Sequence, residues 1–366
     1  MAPRILLGLV LVAVVTFGGV MPSQACTSLR VKSTEGHVFY ARTMEFSTSD
    51  QPQVAVMPKG TVMRGTLPDG RQEGATWTSK YGFVGMRDYG PPLVSDGMNE
   101  KGLVVGMLFF SGYAGYQPYD PAFSTKTIAN FEVANWLLSS FATVEEVREG
   151  LKNIRVCEAP SIVPTSLPMH YVVHDAGGNC IVIEYMEGRL NIYDNPLGVM
   201  TNSPPFDWMV INLSNYVNLS ANGVPKLDLK GFSIYPTGQG SGMLGLPGDY
   251  TPPSRFVRFV ALTQTALPVS GPDAGVNLAM TLIDNADIPK GAVRQKTPEG
   301  DKYDMTIWSV VGDTERLRYY FRTYYNKNWS MVDVLKALSN ASGPKVIPIM
   351  TQPDYKDVTD SAKPAP

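Results

Sequence analysis

The sequence predicts an α+β protein in which helices cover antiparallel sheets. Two observations carry this: strand-like runs come in pairs around glycine-bearing turns, and helix-period segments sit in blocks between those pairs. The composition permits the packed core that such layers need, since 44% of residues are hydrophobic and 17% charged, against a usual charged share of about 25%. One domain is expected over residues 26–355, because no charged or Ser/Gly linker, repeat or low-complexity tract precedes the tail at 356–366, which is expected to be flexible.

Taken in order, the chain opens with Arg4 and an apolar run from Ile5 to Val20, then Ser23, Gln24 and Ala25, the pattern of a signal peptide cut after Ala25. That run is shorter than the roughly 20 residues a membrane-spanning helix needs, so no membrane anchor is expected, and the product is expected to be exported, periplasmic or secreted. The first hairpin pairs TSLRVKS, from Thr27, with HVFYARTM, from His37, around Thr34-Glu35-Gly36. FEVANWLLSSF (131–141) is apolar nearly all round and reads as a helix. Val144, Val147, Leu151 and Ile154 then form a narrow stripe behind a Thr143…Glu146 capping box. HYVVHD, CIVIEYM and LNIYDN (170–195) read as strands joined by turns at 176–179 and at Glu187-Gly188. Further helices are expected at FDWMVINLSNYV (206–217), at PSRFVRFVALTQTAL (253–267) with Pro253 near its first turn, and at SMVDVLKAL (330–338) with Ser330 as cap. TIWSVV and RLRYYFRTYY (306–325) close the pattern as a hairpin around Gly312-Asp313.

Several function classes lose support at once. A formal net charge of −2 with no basic cluster gives no case for nucleic acid or an anionic membrane. No Cys-x-x-Cys or His-Glu-x-x-His occurs, and His170 and His174 bracket a strand-like YVV, so they read as sheet residues; no metal and no cofactor are expected. Gly240, Gly242 and Gly245 satisfy G-x-G-x-x-G, but LPGDYTPP follows where a dinucleotide site needs a helix, so a tight loop leading to the 253–267 helix is the reading kept. Asn212, Asn218, Asn328 and Asn340 fit the glycosylation sequon, which matters only in a host that glycosylates exported proteins.

Three cysteines, Cys26, Cys157 and Cys180, are an odd number for an exported chain, so a disulfide framework leaves at least one thiol over. Cys26 stands at the expected cut. One reading is lipidation of Cys26, giving a tethered binding protein; against it stand Ser23 and Gln24 in place of Leu and a small residue, and a strand that starts with no flexible tether. The other reading makes Cys26 nucleophile and base in one. A freed α-amine titrates near about 8 and a thiol near about 8.5, so the amine takes the thiol's proton around neutral pH and no histidine is needed. Arg42 and Glu45 lie on the strand that returns beside Cys26, and both are expected to reach the terminus, the guanidinium favouring thiolate and the carboxylate holding the amine. An exposed Arg and Glu on an ordinary hairpin is the alternative.

Five stretches resemble the choloylglycine hydrolases, the bile-salt hydrolases and penicillin V acylases among the N-terminal-nucleophile hydrolases: CTSLRVKSTEGHVFYARTMEF, DGMNEKGLVVGMLFF, VMTNSPPFDW, GQGSGMLGLPGDYTPPSRFVRF and the late hairpin. The resemblance runs from Cys26 to near Tyr325. It implies a four-layer αββα sandwich and hydrolysis of linear, non-peptide amide bonds through an acyl-thioester on Cys26. Position by position, Cys26 matches the nucleophile, Arg42 the arginine beside it, Asn202 the side-chain amide of the oxyanion hole and Arg255 the second active-site arginine, with a buried ion-pair role as the alternative for Arg255. Two positions depart. Glu45 falls where the family generally has Asp, which lengthens the carboxylate by a methylene. Phe109 falls where relatives carry Asn or Tyr; the family uses the backbone N–H there as the other oxyanion donor, so the change is expected to spare catalysis and reshape the pocket. The resemblance also brings a homotetramer as a candidate assembly, and it leaves penicillin V, conjugated bile salts and N-acyl homoserine lactones open as substrates. The apolar, aromatic-rich stretches GMLFFSGYAGY (106–116) and SPPFDWM (203–209) favour a small-molecule amide with a hydrophobic acyl group and a small polar amine.

Overall fold

Two antiparallel sheets lie face to face, and helices cover the outer side of each. The computed structural model describes residues 25–46, 52–87, 93–160, 167–297, 300–349 and 352–363. The expected signal peptide, apart from Ala25, and the last three residues of the tail lie outside the described residues. In chain order the strands of the two sheets are β1 (Cys26–Lys32), β2 (Val38–Phe46), β3 (Gln53–Met57), β4 (Phe83–Arg87), β5 (Asp96–Asn99), β6 (Val104–Phe109), β7 (Met169–His174), β8 (Cys180–Met186), β9 (Arg189–Asp194), β10 (Val293–Thr297), β11 (Gly300–Asp313), β12 (Arg318–Thr323), β13 (Ser330–Asp333) and β14 (Lys345–Pro348). The first sheet runs β1-β2-β11-β12-β13, with β10 paired to the first part of β11; the second runs β9-β8-β7-β6-β5-β4-β3-β14. The helices are α1 (Val133–Ser140), α2 (Val144–Leu151), α3 (Phe206–Asn212), α4 (Pro252–Thr265), α5 (Pro272–Ile283) and α6 (Val334–Ser339).

Strand alternation decides which side chains meet in the middle. β1 and β2 pair from Cys26↔Met44 to Lys32↔Val38. Tyr40, Arg42 and Met44 therefore share a face with Cys26, and hydrogen bonds from Tyr40 to Asp96 and from Arg42 to Ser95 O show that this face looks onto the second sheet. Phe39, Ala41, Thr43 and Glu45 take the other face, against α4 and α5. Gly275 allows α5 to come this close, because a Cβ there would stand 2.1 Å from Phe39 Cε2. Leu29, Phe39, Phe256, Phe259, Val276 and Ala279 are buried in this outer layer, and each of the larger side chains stabilises the fold by roughly 1.5–3 kcal/mol. On the far side, Val133, Leu137 and Leu138 of α1 and Val147 of α2 pack with Val105, Met107 and Tyr171 of the second sheet. The order is helix, sheet, sheet, helix, the αββα sandwich that the family resemblance implies.

Local structure follows the sequence reading in most places and departs from it in a few. Both early strands, the 170–195 meander, α1, α2 and α4 lie where periodicity puts them. The Thr143 hydroxyl accepts from Glu146 N, but the Glu146 carboxylate turns back to Ala142 N at 2.7 Å, one residue before the cap. The helix expected from Ser330 begins four residues later. Ser330–Asp333 instead pairs with β12 as a strand, and Asp333, accepting from Lys336 N, is the cap. The 206–217 segment is α-helical to Asn212 and then tightens to a 3-10 turn at Leu213–Tyr216. The sequence reading had no account of β3 to β5 or of α5; the strands are short and buried, so they show no alternation, and Gly271 and Pro272 open α5 without a side-chain cap.

Candidate active site

Cys26 stands at the head of β1, buried, with its side chain in the space between the sheets. The thiol donates to Met44 Sδ at 3.6 Å, directly across the β1–β2 pair. Arg42, two residues before Met44 on the same face, brings Nη2 to 3.7 Å from Cys26 Sγ. Its guanidinium is fixed by donation to Ser95 O at 2.8 Å and to Met107 O, and it lies over the Trp308 ring at 5.0 Å. Met107 is in β6 and Ser95 directly precedes β5, so this arginine bridges the layers beside the sulfur.

Asn202 reaches the same point by strand-like pairing. Ser28 and Met200 exchange backbone hydrogen bonds of 2.8 and 3.0 Å, and two residues further on Asn202 falls opposite Cys26. Asn202 Oδ1 accepts from Cys26 N at 2.7 Å and from Arg255 Nη2 at 2.8 Å, while Nδ2 donates to Phe109 O at 2.9 Å. Two donors on one atom identify it as the oxygen, which settles the orientation of the amide. Nδ2 keeps a second N–H for another acceptor. Arg255, in the first turn of α4, is wholly buried; it also donates to Cys26 O and, at 2.6 Å, to Thr27 Oγ1. In the chain with Ala25 still attached, Cys26 N is an amide, and the Ala25 carbonyl accepts from Glu45 N at 2.9 Å.

At the two departing positions, Glu45 and Phe109, the side chains point off the Cys26 face. Glu45 does not share a face with Arg42, because residues three apart on a strand point to opposite sides. Its Oε1 accepts from Thr306 Oγ1 at 2.9 Å, its backbone N–H bonds to Ala25 O beside the terminus, and its charge acts on the Cys26 thiol. The Phe109 ring packs in the outer core with Val105 and Met107. Its backbone is what faces the site. Phe110 N bonds to Pro168 O on the β7 side, so the alternation of the ladder turns both Phe109 N–H and C=O to the edge where Asn202 sits.

Burial pushes the Cys26 thiol up from its ordinary pKa; Arg42 and Arg255 pull it back, while Glu45 adds to the rise. Burial works against charge on Arg42, but the Cys26 sulfur, Asp96 and Tyr40 more than offset it and its pKa is raised. Burial pushes Glu45 up to about 8, with Arg255 opposing. Arg255 is lowered, first by burial and against the pull of Glu45.

The sequence reading missed a support under Asn202. His170 Nδ1 lies 3.0 Å from Glu184 Oε1 and Nε2 lies 3.0 Å from Thr201 O; Glu184 also accepts from Phe206 N at the start of α3. The 201–206 loop is thus clamped to β7 and β8. His170 is a sheet residue, as its spacing predicts, and only the fold shows that it braces a site loop. Cys157 and Cys180 are buried free thiols. A cavity of about 620 Å³ lined by Met57, Arg64, Trp77, Phe131 and Asn135 lies on the helical side of the second sheet and shares no residue with this cluster.

A family model described as linear amide C-N hydrolases, choloylglycine hydrolase family, matches residues 26–347. The chain is 34% identical over 318 residues to a bile salt hydrolase/transferase of Clostridium perfringens, a match covering 85% of this chain and 93% of that one. A mutant conjugated bile acid hydrolase of Clostridium perfringens has a crystal structure similar to this one, with a TM-score of 0.80 and 30% identity over 91% of this chain and 100% of that chain. For a penicillin V acylase of Agrobacterium tumefaciens the TM-score is 0.71 at 26% identity, over 88% and 91%.

Proposed function

Since the chain belongs to the choloylglycine hydrolase family of linear amide C–N hydrolases, we propose that it is exported, loses residues 1–25, and cleaves its amides through an acyl-thioester on N-terminal Cys26. One observation carries this reading: the Cys26 sulfur lies 3.7 Å from Arg42 Nη2 while its nitrogen is held 2.7 Å from Asn202 Oδ1, so thiol, cation and future amine converge on one residue. Cleavage after Ala25 turns that nitrogen into an amine. The amine takes the thiol proton, and sulfur attacks the amide carbonyl carbon. The remaining Nδ2 hydrogen of Asn202 and the Phe109 N–H serve the oxygen as it gains charge. Collapse breaks the C–N bond, and the proton held by the Cys26 amine goes to the departing amine. Water, activated by the same amine, then adds to the thioester and releases the acid and the thiol.

The substrate proposed is an amide with a hydrophobic acyl group and a small polar amine, of the conjugated bile salt or penicillin V type, since Phe110, Tyr113, Phe206 and Trp208 flank the Phe109 and Asn202 backbone. A homotetramer is the proposed assembly: Leu227, Leu229, Phe232, Ile234 and Tyr235 on one projecting hairpin are all exposed, an apolar surface that an isolated monomer would leave in water. Sedimentation of a Phe232→Glu variant as a smaller species than the parent would support this, and an unchanged monomeric parent would end it.

The function is tested with mature protein beginning at Cys26, assayed on penicillin V, glycine- and taurine-conjugated bile salts and N-acyl homoserine lactones. Hydrolysis of the first two classes is expected. Cleavage only of amides with short charged acyl groups contradicts the acyl assignment. A second form, with residues left ahead of Cys26 so that its nitrogen stays an amide, should be inactive. Full activity in that form, with intact mass showing no trimming, would remove the amine from the mechanism. A diacylglycerol mass on Cys26 of the exported protein would favour the tethered alternative.

A further inference from the structure

Arg42 carries a full charge into the space between the sheets, where it has no exposure to solvent. Its bonds to the Ser95 and Met107 carbonyls are neutral and leave that charge uncompensated. The anion beside it is Asp96 of β5, also fully buried, with Oδ2 3.5 Å from Arg42 Nη1. Each Asp96 oxygen in turn accepts from a buried tyrosine, Oδ2 from Tyr40 at 2.5 Å and Oδ1 from Tyr319 at 2.6 Å. An ionised carboxylate accepts at both oxygens at once, whereas a protonated one would have to donate from one of them. The backbone makes room for this arrangement. Asp96 pairs with Gly106 across β5 and β6, and a Cβ at Gly106 would stand 2.6 Å from Tyr40 Oη and 3.3 Å from Arg42 Cδ.

We propose that Asp96, clasped between Tyr40 and Tyr319, is a positioning residue for the amide hydrolysis: it aims the Arg42 guanidinium so that Nη2 faces Cys26 Sγ, and it keeps part of that charge from the sulfur. This rests on the reading of Cys26 as nucleophile. Burial pushes the Asp96 carboxyl up, while Arg42 and the hydrogen bonds from Tyr319 and Tyr40 pull it back; held as an anion by those bonds, Asp96 shares Arg42 with the transient anion at Cys26. With its charge partly committed to Asp96, the arginine orders the sulfur without stripping its proton, so the proton stays for the Cys26 amine to take during attack and the sulfur keeps its nucleophilicity. Other titratable or charged groups around the cluster are His174, whose ring lies 5.2 Å from that of Tyr40, Cys180 beside His174, Arg30 acting on both, and Glu45 and Arg255 on the far face of β1 and β2.

The test takes the mature protein and its Asp96→Asn variant, which loses the charge and keeps the size. Iodoacetamide labelling of Cys26, located by peptide mass, is followed against pH. The half-labelling pH of the variant is expected about one unit lower, because the arginine is then free to favour the thiolate. With a hydrolysed amide, kcat is expected to fall about tenfold while KM stays within about twofold, the pattern of a misaimed group and not of a weakened fold. An unshifted labelling midpoint with unchanged kcat per folded molecule overturns the inference. Should Asp96→Asn fail to fold, Tyr319→Phe decides: it keeps both charges and removes one hydroxyl, so kcat should fall about fivefold at constant KM, and an unchanged kcat overturns the proposal. Wild-type protein that hydrolyses none of the amides would sink the functional reading instead, and the labelling midpoints would still decide the role of Asp96.

Discussion

Replacing Asn202 with alanine removes one side chain from three buried partners at once: Cys26 N at 2.7 Å, Arg255 Nη2 at 2.8 Å and Phe109 O at 2.9 Å. Each orphaned group costs about 1–3 kcal/mol, the charged Arg255 at the upper end, so a loss of about 3–5 kcal/mol is expected once some relaxation is allowed. Turnover should fall by about 10²–10³, the usual effect of losing one donor to a developing oxyanion. These two effects have different origins, and Asn202→Asp separates them. Its carboxylate still accepts from Cys26 and Arg255 but has no N–H to give, so the stability loss shrinks to that of the Phe109 contact, about 1–2 kcal/mol. Turnover should drop at least as far as in the alanine variant, because an anion now faces the oxyanion. The assay is kcat per folded molecule on a hydrolysed amide, with thermal melts of all three proteins. An aspartate variant within about fivefold of wild-type kcat would show that Asn202 is a scaffold residue and not a transition-state donor.

Glu45 bears on stability through pH. Its folded pKa is raised to about 8 by burial, so the folded chain holds a proton that the unfolded chain releases above about 4.5. The stabilisation is complete below the unfolded value and is lost as pH rises through about 8. Glu45→Gln in the uncleaved chain should therefore gain stability relative to wild type between pH 5 and pH 9, and melting curves that stay parallel across that range would contradict the assignment. Gly106→Ala should destabilise by about 1–3 kcal/mol and lower activity as well, since the new Cβ must displace the Tyr40 hydroxyl 2.6 Å away; a melt and a kcat both equal to wild type would show that the contact between the sheets is slack.

Local order was legible wherever one neighbour decides it. The paired runs at 26–46 and 170–195, the apolar helix at 133–140 and the proline-led start of α4 follow from alternation, period and turn chemistry acting over a few residues. The meeting of Cys26 with Arg42 was legible for the same reason, because a hairpin is local. Where the reading strayed, a longer-range partner won. Ser330 has the chemistry of a helix cap, but pairing with β12 draws it into a sheet.

What the sequence by itself determined is the kind of layers, the pairing of the first hairpin around Cys26 and, through its motifs, the residues worth suspecting. Only the tertiary structure decided how those residues meet. Asn202 reaches Cys26 across 176 positions through the Ser28–Met200 bridge, Arg255 arrives from the far side of the same strand, and Asp96 confronts Arg42 from the opposite sheet. The physical reason is that periodicity records which face of an element is apolar, while sheet-on-sheet packing sets which buried polar groups must find one another, and that choice is made by layers far apart in the chain.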